Sequence, residues 1–171
     1  MLDVLSAQPS LSASRYHISL ALDDNEIREA QRLRYKVFAE EMGARLSSVL
    51  PGHDIDLYDP FCDHLLVRDL ASGEVVGTYR ILPPDAAKRV GSYYSEQEFD
   101  LTRLQFLRPR MAELGRSCVH PAHRSGAVIA RLWIGLADYM TRYGYEYIVG
   151  CASVGMADGG HVAASVYRQI I

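Results

Sequence analysis

Cysteine is scarce in this chain: only Cys62, Cys118 and Cys151 occur in 171 residues. An odd, scattered set excludes a disulfide framework and reads as reduced thiols in a cytosolic setting, packed as small apolar side chains. Also missing is any apolar run near the ~20 residues that a membrane-spanning helix needs. Met1 to Ser14 carry no basic stretch leading into an apolar one, so no secretory signal is read there. Nor is one sign of charge in excess, because 18 Lys plus Arg face 21 Asp plus Glu for a net charge of −3. Without a basic face there is no general attraction to nucleic-acid phosphate. These absences leave a cytoplasmic protein, soluble or peripheral at the inner face of the cell membrane.

What is present is enough for one core, since 49% of the residues are apolar, and the length favours a single domain. The Ser/Ala-rich residues 1–14 read as a flexible tail and residues 15–171 as the domain. Arg15 to Leu22 alternates apolar with polar residues, the period of a half-buried strand. Asp24 is expected to cap a helix in which Ile27, Ala30, Leu33, Val37, Phe38 and Met42 recur at helical spacing until Gly43 stops it. Ala44 to Cys62 shows no period, and a loop of about twenty residues carrying Asp54, Asp56 and Asp59 is long enough to expect function in it.

Two strands follow, His64 to Leu70 and Glu74 to Leu82, joined by the turn at Ala71 to Gly73. Pro83 and Pro84 close the second, and the mixed stretch from Asp85 to Pro109 is read with one short helix over Ser95 to Leu101. Met111 to Val119 is another strand. Ala127 to Tyr143 is an apolar helix expected to bury Ile129, Leu132, Trp133, Leu136, Ala137 and Met140. Tyr145 to Ala152 reads as a buried strand, and a last helix starts near His161. No internal repeats occur. The order is that of an α/β sandwich whose final strands are missing, so the sequence reads as a truncated form of a longer protein.

Three groups of residues carry chemistry. A strand, a basic loop and a helix start meet at His120 to Gly126, where unpaired N–H groups and the positive end of a helix dipole suit an anion. His120, His123 and Arg124 add to that field and Gly126 allows close backbone approach; an ordinary strand-to-helix turn explains the same residues equally well. In the strand before it, Glu113 suits a base that takes a proton from an attacking amine, while a plain Glu113–Arg116 ion pair is the simpler account. Strict alternation puts Glu113 and Gly115 on one face and Leu114 and Arg116 on the other unless a bulge near Gly115 re-aims them. Arg34 lies on the first helix and Arg80 deep in an otherwise apolar strand, where a charge needs a partner, which Asp54, Asp56, Asp59 and Asp63 offer; these either build the site or brace it. Cys118, His120 and His123 have ligand types at close spacing but no fourth group, so no metal is assigned, and Cys118 is assigned to packing rather than to nucleophilic catalysis.

With those residues in place, the sequence resembles the ornithine N-acyltransferases of bacterial ornithine-lipid synthesis, a "hemolysin-like" group of the GNAT superfamily, and more distantly the acyl-homoserine-lactone synthases. The resemblance is carried by Arg34 to Gly43, Asp59 to Val67, Val76 to Leu82, Tyr93 to Asp100, Glu113 to Pro121, Leu132 to Leu136 and Gly150 to Ser153. It implies a GNAT (acyl-CoA N-acyltransferase-like) α/β fold, a central mixed sheet flanked by helices, with the strands at Met111 and Tyr145 splayed around a pantetheine cleft. It further implies transfer of a 3-hydroxy or plain fatty acyl group from the phosphopantetheine of acyl carrier protein, or from acyl-CoA, to the α-amine of ornithine or a similar amino acid, with no tightly bound cofactor. Carried over residue by residue, it implies Glu113, Arg116, Arg80 and Arg34 as catalytic positions and matches Asp54 or Asp56, together with Asp59, to the synthases' acidic positions, so Asp54, Asp56 and Asp59 are expected to bind substrate; Val119, His120, His123, Arg124 and Gly126 are expected to bind the donor, on the anion-binding reading of their loop. Arg124 to Ile129 keeps only part of the usual GNAT pyrophosphate loop, which suits a carrier-protein donor. An acyl-homoserine-lactone synthase is the rival enzyme reading, and a membrane-active protein, taken literally from the group's label, the non-enzymatic one.

Overall fold

The computed structural model of the chain describes residues 14–170, so the tail expected over residues 1–14 lies outside them apart from Ser14. Five strands form one sheet in sequence order: β1 (Tyr16–Leu20), β2 (Asp63–Asp69), β3 (Val75–Leu82), β4 (Met111–Val119) and β5 (Tyr147–Val149). The first four pair antiparallel, and β5 runs parallel to β4, which makes the sheet mixed as expected.

Helices α1 (Asp24–Tyr35) and α2 (Pro84–Val90) cover one face and α3 (Ala127–Tyr143) the other; α4 (His161–Ile170) follows β5. Alternation along the strands supplies both cores. Leu65, Val67, Ile81, Ala112 and Leu114 meet α3 through Val128, Leu132 and Leu136. On the reverse face Leu66, Val75 and Cys118 meet Ala30 and Leu33 of α1, and Leu82 and Met111 meet Ala86 and Ala87 of α2.

Several expectations need correction. The cap of α1 is Asp23, whose Oδ1 accepts from the Glu26 N–H at 3.0 Å, one residue before the expected Asp24. Beyond Tyr35 the helix widens into a π-helical turn over Lys36–Glu41 and stops at Gly43, where φ is +72°. On α3 the buried stripe is Val128, Leu132, Leu136, Tyr139 and Met140, whereas Ile129, Trp133 and Ala137 face outward. Gly135 lets the helix approach β1 closely, since a Cβ there would come within 2.3 Å of Ile18 Cδ1.

Pro83 and Pro84 do more than close the strand, because helix α2 begins there. Pro84 in fact occupies its first turn, Asp85 and Arg89 suit its two dipole ends, and Gly91 closes it with φ +108°. Tyr94–Gln97 and Thr102–Arg110 are 3-10 segments, in place of the short helix over Ser95 to Leu101. β5 is shorter than the expected Tyr145 to Ala152.

Candidate functional site

The site begins with a defect in β4. Thr78 pairs with Cys118 and Arg80 with Gly115, so Tyr79 alone stands opposite both Arg116 and Ser117. This is a β-bulge, and Arg116 takes φ +53° within it, a conformation costing a non-glycine residue on the order of 1 kcal/mol. The extra residue turns the Arg116 guanidinium from the Leu114 face to the Glu113 face. There its Nε donates to Asp54 Oδ2 at 3.0 Å and its Nη2 lies 3.4 Å from Asp56 Oδ2. A Glu113–Arg116 ion pair is therefore not formed.

Glu113 has other partners. Its Oε2 accepts from the Tyr94 N–H at 2.6 Å, and its Oε1 accepts from the Ser95 N–H at 2.7 Å and from the Ser95 hydroxyl. The 3-10 turn at Tyr94–Gln97 thus presents two backbone donors to a buried carboxylate, and Glu96 Oε2 accepts the Tyr93 N–H at 2.8 Å at the start of that turn.

The acidic loop closes over three arginines. Arg34 on α1 has no exposed surface: its Nε donates to Asp54 Oδ2 at 3.0 Å, its Nη2 to the Asp54 carbonyl and to both Asp59 oxygens at 2.8 Å, and its Nη1 lies 3.5 Å from His64 Nδ1. Arg80 donates from Nη1 to Asp56 Oδ1 at 2.6 Å. Asp59 Oδ2 also accepts the Asp56 N–H at 2.9 Å, which folds the loop onto its own carboxylate. Burial alone would raise the Asp56 carboxyl, but Arg80, the Tyr58 N–H and Arg116 outweigh it and hold it below the usual range. Arg80 is likewise held above its ordinary value, because Asp56, Cys62 and Asp59 overcome the cost of burial. Asp54 and Asp59 are wholly inside, and Asp56 keeps a partly exposed edge.

A continuous cleft runs beside these residues. Pairing of β5 with β4 ends at Glu113 and Val149. Gly150 then passes so close to β4 that a Cβ would lie 2.6 Å from the Leu114 carbonyl oxygen. Past that point β4 has no β5 partner, and three cavities follow its open edge. The innermost, about 110 Å³, is lined by Tyr58, Cys62, Arg80, Tyr94, Glu113 and Arg116. A second, about 420 Å³, shares Leu114, Gly115, Arg116, Cys151 and Ser153 with it and adds the apolar Phe38, Met42, Leu46 and Tyr79. The third, about 330 Å³, shares Ser117 and reaches His123, Arg124 and Gly126 at the start of α3.

In that last region Gly126 caps α3 with φ +93° and no side-chain cap, so the first-turn N–H groups have no side chain satisfying them. Arg124 is engaged, its two terminal nitrogens donating to Glu41 at 2.6 and 2.7 Å and its Nε to the Val119 carbonyl at 3.1 Å. His123 Nδ1 lies 3.2 Å from the Tyr16 hydroxyl, and His120 Nε2 2.9 Å from Lys36 Nζ. Burial, then Lys36 and His123, lower the His120 pKa.

The structure thus places Arg80, Arg116 and Glu113 around one chamber, with Arg34, Asp54, Asp56 and Asp59 in the ion-pair network beside it, and Val119, His123, Arg124 and Gly126 at the far end of the cleft; His120, expected with them, instead lines a separate hollow with Glu29, Arg32, Lys36 and Glu74. Sequence reasoning missed Tyr58, Cys62, Tyr94, Ser95, Cys151 and Ser153 as lining or supporting residues; all but Tyr58 stand inside motifs that carry the resemblance. Cys118 packs in the α1-side core, where burial pushes its thiol up to about 12. Among the described residues no cluster of three or more His, Cys, Asp or Glu is placed to hold a metal ion.

Comparison with known proteins adds to this geometry. A family model described as an acetyltransferase (GNAT) domain matches residues 33–134. Over 147 residues, 81% of this chain, the sequence is 45% identical to the L-ornithine N(alpha)-acyltransferase of Rhodobacter capsulatus, covering 56% of that protein. The enzyme of the same name from Brucella abortus is 41% identical over 80% of this chain and 52% of its own length. The chain therefore spans about half the length of the curated relatives it matches. Among solved structures, the acyl-homoserine-lactone synthase LasI superposes with TM-score 0.62 at 22% identity, over 91% of this chain and 78% of that one. FeeM, an N-acyl amino acid synthase from uncultured soil microbes, superposes with TM-score 0.58 at 16% identity, over 90% and 76%.

Proposed function

Because this chain belongs to the GNAT acetyltransferase-domain family, we propose that its cleft moves a fatty acyl group, with or without a 3-hydroxyl, from a pantetheine thioester to the α-amine of ornithine or a similar amino acid. The observation that carries the reading is the continuous channel along the open edge of β4, from the uncapped start of α3 to Glu113. A pantetheine arm lies along such an edge by hydrogen bonding to strand backbone, with its phosphate at the helix N-terminus. The names of the ornithine acyltransferase relatives support the acceptor.

In this reading the acceptor amine attacks the thioester carbonyl, the C–N bond forms, and the C–S bond breaks to release the pantetheine thiol. Glu113 takes the amine proton directly or through a water; a carboxylate offers about four acceptor positions, and three are in use here. Backbone N–H groups along the cleft steady the oxyanion. Arg80 and Arg116, which line the inner cavity, hold the acceptor carboxylate, and the partly exposed Asp56 reads the side-chain ammonium. Arg34, Asp54 and Asp59 act from behind, as the frame that aims the other two arginines. The donor is acyl carrier protein in preference to coenzyme A: Arg124, the loop's one arginine, already answers to Glu41, leaving fewer cations for a nucleotide pyrophosphate. No described helix is long and apolar enough to cross a membrane, and a lipid product fits peripheral association with the bilayer.

Mass spectrometry of lipid extracts from cells expressing the full chain tests this reading. A new N-acylated ornithine that disappears with Glu113→Gln is expected. An acylated homoserine lactone would select the synthase alternative, and wild-type product from Glu113→Gln would remove Glu113 as the base.

A further inference from the structure

The proton inventory around Glu113 singles out Ser95. This residue is 1% exposed, yet its hydroxyl has a partner on each wall of the cleft. Its Oγ donates to Glu113 Oε1 on β4 and accepts the Cys151 thiol at 3.4 Å, just past the end of β5. A hydroxyl has a single proton, and Glu113 as a carboxylate has none to give. With the Cys151 thiol directed at Oγ, the hydroxyl proton has one destination, the carboxylate. The backbone N–H groups of Tyr94 and Ser95 hold the same carboxylate at 2.6 and 2.7 Å, so the hydroxyl is not needed merely to satisfy a buried charge. What it adds is direction: the side chain of Ser95 ties the carboxylate of one strand to the segment that leaves the other, at the point where the strands part.

We propose that Ser95 is a positioning residue for acyl transfer, holding Glu113 at the orientation from which it takes the amine proton, with Cys151 fixing the direction of the Ser95 hydroxyl. The assignment rests on Glu113 as the base. Ser95 does not touch the reacting atoms, and its effect passes through the Glu113 carboxylate. Because both partners line the cleft rather than the core, loss of the hydroxyl disturbs turnover more than donor or acceptor binding.

Steady-state kinetics on the full chain with purified acyl-thioester donor and ornithine test it. Ser95→Ala is expected to lower kcat about tenfold, the worth of one charge-assisted hydrogen bond, with KM for both substrates within about twofold. Ser95→Thr is expected to recover most of the loss, since it restores the hydroxyl. In a Glu113→Gln background Ser95→Ala should cost nothing further. Full kcat in Ser95→Ala, or the same loss in the Glu113→Gln background, would overturn the role of Ser95 and leave Glu113 standing. Wild-type kcat in Glu113→Gln alone would instead remove the base reading beneath it. Thermal midpoints of all variants guard against misfolding, and Cys151→Ala supplies an independent arm at an exposed position: a kcat loss of about twofold or more supports the proposal, and unchanged kcat counts against the fixed hydroxyl.

Discussion

Arg34 Nη2 donates to both carboxylate oxygens of Asp59 at 2.8 Å, and both side chains are buried. A pair withdrawn from water in this way is favourable only while both halves are present, since removing one leaves a charge without a counter-ion. Arg34→Met should therefore lower unfolding free energy by about 3–5 kcal/mol, read as a shift of the denaturant midpoint. Arg34→Lys should recover only part, because one ammonium cannot serve Asp54 and Asp59 with the same fork. A stable Arg34→Met variant would mean that the loop is not held from α1.

The bulge makes a separate prediction at Arg116. Its φ of +53° suits glycine, while alanine would keep the strain and lose the contacts to Asp54 and Asp56. Arg116→Gly should be more stable than Arg116→Ala by about 1 kcal/mol, with both strongly impaired in acyl transfer. Equal stability would argue that the bulge relaxes once the guanidinium is gone.

Two cleft glycines should behave differently. A Cβ on Gly115 would meet nothing within 4 Å, whereas one on Gly150 would strike the Leu114 carbonyl oxygen at 2.6 Å. Gly115→Val should leave the thermal midpoint nearly unchanged but raise donor KM by filling the channel. Gly150→Ala should lower both midpoint and kcat, because β5 must move away from β4. Donor KM unaffected by Gly115→Val would place the donor elsewhere.

Burial pushes the thiols of Cys62 and Cys118 up to about 12, and only Cys151 is exposed. Near neutral pH iodoacetamide should modify Cys151 first in the folded protein and all three thiols after denaturation, as counted by peptide mass spectrometry. Early labelling of Cys118 would show that the α1-side core opens.

Histidine 64 links the site to pH. Desolvation is the largest influence on its ring and lowers its pKa, with Arg34 adding to the effect against the opposing Asp59 carboxylate. A histidine depressed in the folded state stabilises fully above its unfolded value near 6.5, and that contribution fades as pH falls below it. The thermal midpoint should therefore decline on acidification through this range, and His64→Gln should flatten that part of the curve.

Much of this architecture was legible in residue order because it depends on local periodicity. The period-two run at Tyr16, the apolar runs at His64, Val75 and Met111 with the turns between them, and the helical spacing of α1 and α3 put the elements in the right order, with β4 and α3 at their observed bounds. The list of charged residues was legible in part from physics, since Arg80 and Glu113 stand in largely apolar strands where only a partner makes burial tolerable, while Arg34, on a helix rich in charge, was carried by the family resemblance. Their pairing was not. Whether Asp54 or Asp56 meets Arg116 depends on how a loop without periodicity folds over α1, and whether Arg116 faces Glu113 depends on a single extra residue in β4.

The sequence by itself determined the alternation of strands and helices, the apolar faces, and the charged residues that require burial with partners, because each follows from spacing and from the cost of unpaired charge. Only the tertiary structure decided that Arg34, Asp54 and Asp59 form a closed frame, that Glu113 rests on Tyr94 and Ser95, and that β4 and β5 part after Glu113. Those relations join residues far apart in the chain, and their geometry is set by packing, by one glycine and by one bulge that residue order offers only as a possibility near Gly115.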